Sequence, residues 1–474
     1  MTEKRIPIDT AATMFASLHH GEASRVYRLT AELKEDIDPE ALKTAVGLVA
    51  PRFPMLMRRI HKGFFATTLD YDDNIKVLPE NEEPSKAQWL SKLGGPDIRV
   101  LYYKTRIAIE LSYVLTDANA LMEFLKAVVA EYLILKGADE ADFPEVKLPG
   151  RNMEPDESDN AFRTYYRKHG DKTESPLRGK TYGTELTPGC DTITVTGGLV
   201  KTSELKALSK PLGLTVTEYL ACLLIYSVIK TAPAPVTDVV RINIPINLRK
   251  IFPSGTLRNF VSEIPIGFEP DGRTDVTVRE ISEVIRGQIK AGKTREKMQA
   301  FINRSYSLAN NPAVRAVPLS IMNPVLRKMQ MRSHVERITV NLTNIGDITL
   351  PPAMADEVAL LEFINGSTAV YGQPKACSAV GFNGYVHISF SNTVNDPSIE
   401  RELFRELVKN GCGVKITTSR ADCIADAPGT DDKFCPDGGV YLHPDAVRCP
   451  LCGGTAETAG TPFDGPAAAG YLKL

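Results

Sequence analysis

The sequence predicts an α/β protein made of two successive halves, with a small segment of different character at the C-terminal end. Three observations carry this prediction. Strand-period and helix-period apolar patterns alternate in both halves. A polar, charge-rich stretch over residues 150–190 separates them and reads as a crossover or linker. From Asp422 onward there are eight acidic residues against three basic ones, and Gly, Ala, Pro and Thr dominate after Gly453. A length of 474 residues leaves room for about three units at roughly 150 residues each. The divisions read here are 1–180, 186–420, a module at 430–456 and a flexible tail at 457–474.

The elements follow in order. Asp38 followed by Pro39 is a helix start, with the carboxylate as N-cap and Pro in the first turn. Ala41, Leu42, Ala45, Val46 and Val49 form the apolar stripe, and Pro51 and Pro54 stop the helix. Ile107, Ile109, Leu111, Tyr113 and Leu115 alternate and predict a strand over Arg106–Leu115. Leu121, Leu125, Val128, Val129, Tyr132 and Leu133 then lie on one helical face, so Thr116-Asp117-Ala118 is a tight strand-to-helix turn. In the second half, strands are predicted at Thr192–Thr196, Val239–Ile246, Ile338–Asn341, Ala369–Val370 and Tyr385–Ser391. Helices are predicted at Leu214–Lys230 (capped at Thr215), through much of 275–335, and at Pro397–Lys409.

Composition excludes several classes. Lys plus Arg number 56 and Asp plus Glu 58, a balance that argues against a generic nucleic-acid binder. Hydrophobic residues at 43% and charged residues at 24% exclude disorder over the whole chain. The longest apolar run, near Leu220–Tyr226, is too short to span a bilayer. The opening MTEKRIPIDT lacks the basic-then-apolar pattern of a secretory signal. With a low cysteine density, these features predict a soluble, cytoplasmic protein.

Several motifs are more specific when taken in order. They are Arg52-Phe53-Pro54; Ser112-Tyr113-Val114-Leu115-Thr116-Asp117-Ala118 with the helix after it; Pro245-Ile246-Asn247-Leu248-Arg249-Lys250; Thr256-Leu257-Arg258-Asn259-Phe260; Thr343-Asn344-Ile345-Gly346-Asp347 to Leu350-Pro351; and Gly381–Asp396. In order and spacing, over roughly residues 5–420, they resemble the chloramphenicol-acetyltransferase-like superfamily in its alcohol-acetyltransferase-like branch, which is related to condensation domains. The resemblance implies a two-lobed sandwich of two similar half-domains with a substrate tunnel at their interface. It further implies an acyl-CoA donor and a small-molecule alcohol or amine acceptor.

In that superfamily the histidine of an HxxxDG motif takes the acceptor's proton, and the aspartate pairs with an arginine. Here Tyr113 stands at the histidine position, Ala118 at the glycine position, and Asp117 is retained. An ordinary tyrosine, with a pKa about 10, is roughly a thousandth ionised at pH 7 and is a poor general base. Tyr113 therefore has three readings: strand packing, a tunnel-lining contact, or a base. Asp117 is either an N-cap or the family's buried partner of Arg249. Thr343 and Asn344 are either donors to a thioester oxygen or parts of a turn with Gly346. Of the seven histidines, His387 is on a predicted strand and is a candidate substrate contact; His19-His20 lacks the downstream xxxDG. The sequence leaves two functions open: an acyl-CoA-dependent acyltransferase, or an inactive homologue that binds or regulates.

The C-terminal cysteines form a separate pattern. Cys435-Pro436-Asp437-Gly438-Gly439 and Cys449-Pro450-Leu451-Cys452-Gly453 resemble two zinc-ribbon knuckles of the form CPxCG. The first has Gly438 where the second cysteine belongs. Cys435, Cys449 and Cys452 are left as metal ligands, with Cys423 or His443 as a fourth, or the ribbon is degenerate and metal-free. The remaining Cys449-x-x-Cys452 spacing also allows a redox pair.

Overall fold

The computed structural model describes residues 3–18, 26–80, 94–168, 179–183, 193–335, 338–366, 375–394, 396–425 and 429–467. His19, His20, His169, Cys190 and the strand predicted at Ala369–Val370 lie outside the described residues.

Two large sheets organise the chain. The first has five strands in the order Val358–Asn365, Val26–Leu33, Arg106–Ser112, Ile98–Tyr103, Lys76–Pro79. The helices Pro39–Val49 and Ala118–Leu135 cover one face, where Leu29, Ile109 and Phe363 share a buried cluster with Leu42, Phe124 and Val128. Asp38 caps the first of these helices, its Oδ1 accepting from the backbone N–H groups of Glu40 and Ala41 at 2.9 and 3.2 Å.

The opposite face of this sheet is charged yet buried. Arg28 donates to Glu80 at 2.6 Å and to Glu110 at 3.0 Å. Arg99 also reaches Glu110 at 2.8 Å, and Arg106 reaches Glu32 at 2.8 Å. All six side chains are buried. Removing charges from water costs several kcal/mol per ion, so such groups persist only when each is paired and hydrogen-bonded.

The second sheet runs Val261–Phe268, Val240–Asn247, Val340–Asp347, Lys375–Phe382, Tyr385–Asn392, Thr194–Lys201, Val414–Thr418, Val440–Leu442, Lys433–Cys435, Glu457–Thr458. The helix Val216–Thr231 is buried along most of its length against it, and Thr215 and Glu218 close its start as a reciprocal capping box. The helix Ser398–Lys409 packs so closely on Thr194–Lys201 that a Cβ at Gly198 would overlap the Phe404 ring. A three-stranded sheet of Arg5–Pro7, Thr67–Tyr71 and Arg58–Lys62 completes the first lobe.

The lobes are not consecutive halves. Val358–Asn365 lies beyond the predicted boundary at 180–186, yet it pairs antiparallel with Val26–Leu33. The predicted strand Arg106–Leu115 ends at Ser112, because the backbone turns there with Leu115 N–H donating to Ser112 O at 2.9 Å. The stretch expected to be a linker contains the helix Ala161–Tyr165 and the fully buried Glu157, which accepts from Arg52 at 2.7 and 2.9 Å. Of the segment expected to be a flexible tail, residues 457–467 are described and are packed on the lobe. Glu457–Thr458 joins the sheet edge, Phe463 packs on Leu199 and Leu360, and Asp464 pairs with Lys201 at 2.6 Å. One aromatic anchor outweighs the Gly- and Ala-rich composition around it. Among the described residues, no single helix is long and apolar enough to cross a membrane.

Candidate functional site

The turn after Arg106–Ser112 brings the lobes together. Asp117 has extended backbone angles and divides its two oxygens between two tasks. Oδ1 accepts from Asn119 N–H at 3.1 Å and Ala120 N–H at 3.3 Å, which caps the helix Ala118–Leu135. Oδ2 accepts from Arg249 Nη1 at 2.8 Å and Phe260 N–H at 2.9 Å. One carboxylate thus both caps the helix and pairs with Arg249. Arg249 extends the clamp, donating to Thr256 O at 2.9 Å and Arg258 O at 2.7 Å. Thr116 Oγ1 donates to Leu257 O at 2.6 Å, and Asn247 Nδ2 to Asn119 Oδ1 at 2.9 Å. Residues 116–119 are therefore stitched to 247–260 by side chains of both segments.

Tyr113 sits just before this clamp and is buried. Its ring stacks on Tyr27 with centroids 3.6 Å apart and planes within 13°, and meets Phe15 edge-on at 5.6 Å. Its carbonyl accepts from Asn259 Nδ2 at 3.2 Å. An aromatic sandwich thus occupies the station where the resembling family carries an imidazole.

Asn259 leads to a residue that sequence reasoning missed. Its N–H and Nδ2 donate to the buried Asp9 Oδ2 at 3.3 and 3.2 Å, while Asp9 Oδ1 accepts from Ala12 N–H at 2.7 Å. Burial pushes the Asp9 pKa up, and nearby Arg258 pulls against that. The available signal was a short one: Asp9 directly precedes the helix Thr10–Leu18, the position of an N-cap.

Thr343 and Asn344 do not converge. Neighbours on a strand face opposite ways. Thr343 Oγ1 accepts from Asn365 Nδ2 at 2.8 Å, toward the strand Val358–Asn365. Asn344 Nδ2 donates to Thr217 Oγ1 at 2.9 Å, toward the helix Val216–Thr231. Asn344 Oδ1 accepts from Gly346 N–H at 2.8 Å, and Gly346 has φ 94°, so Asn344 also belongs to a turn.

His387 is buried between the lobes. Its Nδ1 lies 3.0 Å from Ser389 Oγ, and its Nε2 lies 3.8 Å from Glu362 Oε1 on the strand Val358–Asn365. Gly197 makes room for the ring, since a Cβ there would come within 2.7 Å of Nε2. Burial lowers the His387 pKa, partly offset by Glu362 and Glu32. Serine, imidazole and carboxylate so arranged can hold an imidazole in one tautomer and orientation.

The C-terminal cysteines meet in space. One sulfur each from Cys435, Cys449 and Cys452 lies within 4.8 Å of the others. Among the described residues, neither Cys423 nor His443 joins that group. His443 Nδ1 instead accepts from Asp445 N–H at 3.2 Å. A cavity of about 310 Å³ lies on this module, bordered by Lys415, Asp431, Asp432 and Pro462.

No family model and no curated sequence relative matches the chain. Solved structures do. The polyketide synthase associated protein 5 from Mycobacterium tuberculosis is similar over 85% of this chain and 98% of its own, at 14% identity and a TM-score of 0.56. F. sporotrichioides TRI101, solved with coenzyme A and T-2, is similar over 85% and 98%, at 10% identity and a TM-score of 0.52. The first condensation domain of the CDA synthetase is similar over 86% and 97%, at 10% identity and a TM-score of 0.50. At such identities the likeness is one of fold. This chain has the two-lobed α/β fold that the chloramphenicol-acetyltransferase-like enzymes share with condensation domains.

Proposed function

We propose that this protein transfers an acyl group from an acyl-CoA thioester to the hydroxyl or amine of a small acceptor bound between the lobes. The observation that carries this reading is the Asp117–Arg249 clamp at 2.8 Å, which holds the turn bearing residue 113 against the second lobe. In such a reaction the acceptor's lone pair attacks the thioester carbonyl, the acceptor loses a proton and coenzyme A leaves. A base titrating near neutral pH serves best, and its loss costs about 10²- to 10⁴-fold in rate. Tyr113 does not supply one. His387, oriented by Ser389 and Glu362, is the imidazole we assign to substrate contact, together with Thr343. A cytoplasmic setting belongs to the same reading and rests on the low cysteine density.

A second reading is favoured by the aromatic stack at Tyr113: an inactive homologue that binds a thioester or a partner and does no chemistry. One experiment separates the two. Acetyl-CoA consumption is followed with a panel of alcohols and amines for the wild type, Tyr113→His and His387→Ala, alongside thermal shift with acetyl-CoA. The transferase reading expects wild-type turnover that falls in His387→Ala. Turnover by Tyr113→His alone, with wild-type binding retained, moves the assignment to a binding protein. No turnover and no stabilisation by acetyl-CoA in any variant refutes the transferase reading and thioester binding alike.

A further inference from the structure

The two C-terminal cysteine loops are built alike. In the first, Gly439 N–H donates to Cys435 O at 2.8 Å, with Gly439 at φ 63°. In the second, Gly453 N–H donates to Cys449 O at 2.8 Å, with Gly453 at φ 78°. Each turn thus closes four residues after its leading cysteine on a glycine whose backbone favours that residue. Backbone donors also point at sulfur. Gly438 N–H lies 3.3 Å from Cys435 Sγ, and Gly454 N–H lies 3.4 Å from Cys452 Sγ. Such donors hold the two sulfurs in place.

The loops face each other across the sulfurs. Cys435 Sγ and Cys452 Sγ are 3.4 Å apart, and Cys449 Sγ completes a triangle with every edge under 4.8 Å. A tetrahedral zinc about 2.3 Å from each sulfur requires sulfurs about 3.8 Å apart, which this triangle admits with small adjustments. Cys435 and Cys449 are buried and Cys452 is half-buried, so the cluster opens on one side. The missing corner can be located. Gly438 holds the place in the first loop that Cys452 holds in the second, and a Cβ built on it would lie 3.3 Å from Cys435 Sγ.

We propose that Cys435, Cys449 and Cys452 bind a zinc ion as three thiolates, leaving its fourth position open to water on the Gly438 side. Binding releases the thiol protons and needs no oxidant. The ion would tie the hairpin formed by Lys433–Cys435 and Val440–Leu442 to the Cys449–Cys452 loop. That loop already accepts from the body of the lobe, through Arg420 Nη1 to Pro450 O at 3.2 Å. The site is independent of the acyl-transfer reading.

The test uses the full chain, purified under reducing conditions, stripped of metal and reloaded with zinc or cobalt(II). Elemental analysis is expected to give about one zinc per chain, and cobalt to give the charge-transfer absorption of thiolate ligation. Cys452→Ser, at the half-buried corner, is expected to weaken zinc binding by more than about tenfold in competition with a chelator. Gly438→Cys supplies the fourth sulfur and is expected to strengthen it by a similar factor. This gain cannot be mistaken for misfolding. Less than a tenth of an equivalent of zinc, or identical affinity in wild type, Cys452→Ser and Gly438→Cys, overturns the proposal. So does a disulfide, seen as a two-hydrogen mass deficit in chain that has never been exposed to oxidant.

Discussion

Replacing Asp117 by Ala removes four hydrogen bonds at once, and the structure allows the cost to be divided. The two bonds on Oδ1 are a helix N-cap, worth about 0.5–2 kcal/mol. The two on Oδ2 hold Arg249 and the Phe260 N–H, and breaking a buried pair from one side costs about 3–5 kcal/mol. The lower end of that range applies. Arg249 keeps its bonds to Thr256 O and Arg258 O, and its side chain is 14% exposed. Asp117→Ala should therefore cost about 4 kcal/mol. Asp117→Asn retains a capping oxygen and should cost about 3 kcal/mol. The decisive quantity is the coupling with Arg249→Ala. Two residues in one buried pair should show about 1–3 kcal/mol of non-additivity. Urea unfolding followed by far-UV circular dichroism, with a second probe to test for intermediates, measures all four corners of the cycle. Strict additivity, or an Asp117→Ala variant as stable as wild type, refutes the claim that this pair fastens the lobes.

Other substitutions test the interior. Burial holds the His387 pKa below its ordinary 6.5, so on acidification the unfolded chain takes up that proton first. Stability should fall as pH drops below about 6.5, and His387→Gln should remove that part of the slope in urea melts across pH. Lys375 and Glu400 are buried together at 2.8 Å, so Glu400→Gln should cost about 3–5 kcal/mol by leaving the ammonium without its counter-charge. The joint change Lys375→Met with Glu400→Leu should recover most of that loss in the same unfolding assay. Gly198→Ala should cost about 1–3 kcal/mol, because Phe404 must move. Gly287→Ala, in the helix Val278–Gly292 with open space around it, should stabilise by about 0.5–1 kcal/mol. Thermal melts of the two glycine variants should shift in opposite directions.

What could be read in the sequence was what local chemistry writes there. Asp38 and Thr215 announce their helices because a capping side chain and its backbone partners lie within three residues. Asp117 and Arg249 lie 132 residues apart, and only the ordered set of motifs suggested that they meet. The strand Val358–Asn365 could not be assigned to the first lobe, since its pairing with Val26–Leu33 is set by tertiary packing. The charged face around Arg28, Glu110 and Arg99 was equally hidden, because a charge in sequence looks the same whether it faces water or an ion partner. The C-terminal cysteines were visible as a pattern, but the turns that point Gly438 and Gly454 at sulfur depend on backbone geometry. Phe463 was overlooked because one aromatic in a Gly- and Ala-rich segment carries little periodic signal.

The late return of Val358–Asn365 sets the order in which the protein can be completed. When the ribosome has made Ser112, four strands of the five-stranded sheet exist, but the edge of Val26–Leu33 has no neighbour. Its partner begins about 250 residues later, which at 5–20 residues per second means roughly 12–50 seconds of synthesis. During that interval an unpaired edge is a template for wrong pairing between nascent chains. The first lobe should therefore be the segment most dependent on chaperones during synthesis. A fragment ending near residue 180 should aggregate, even though nearly all of that lobe's own sequence is present.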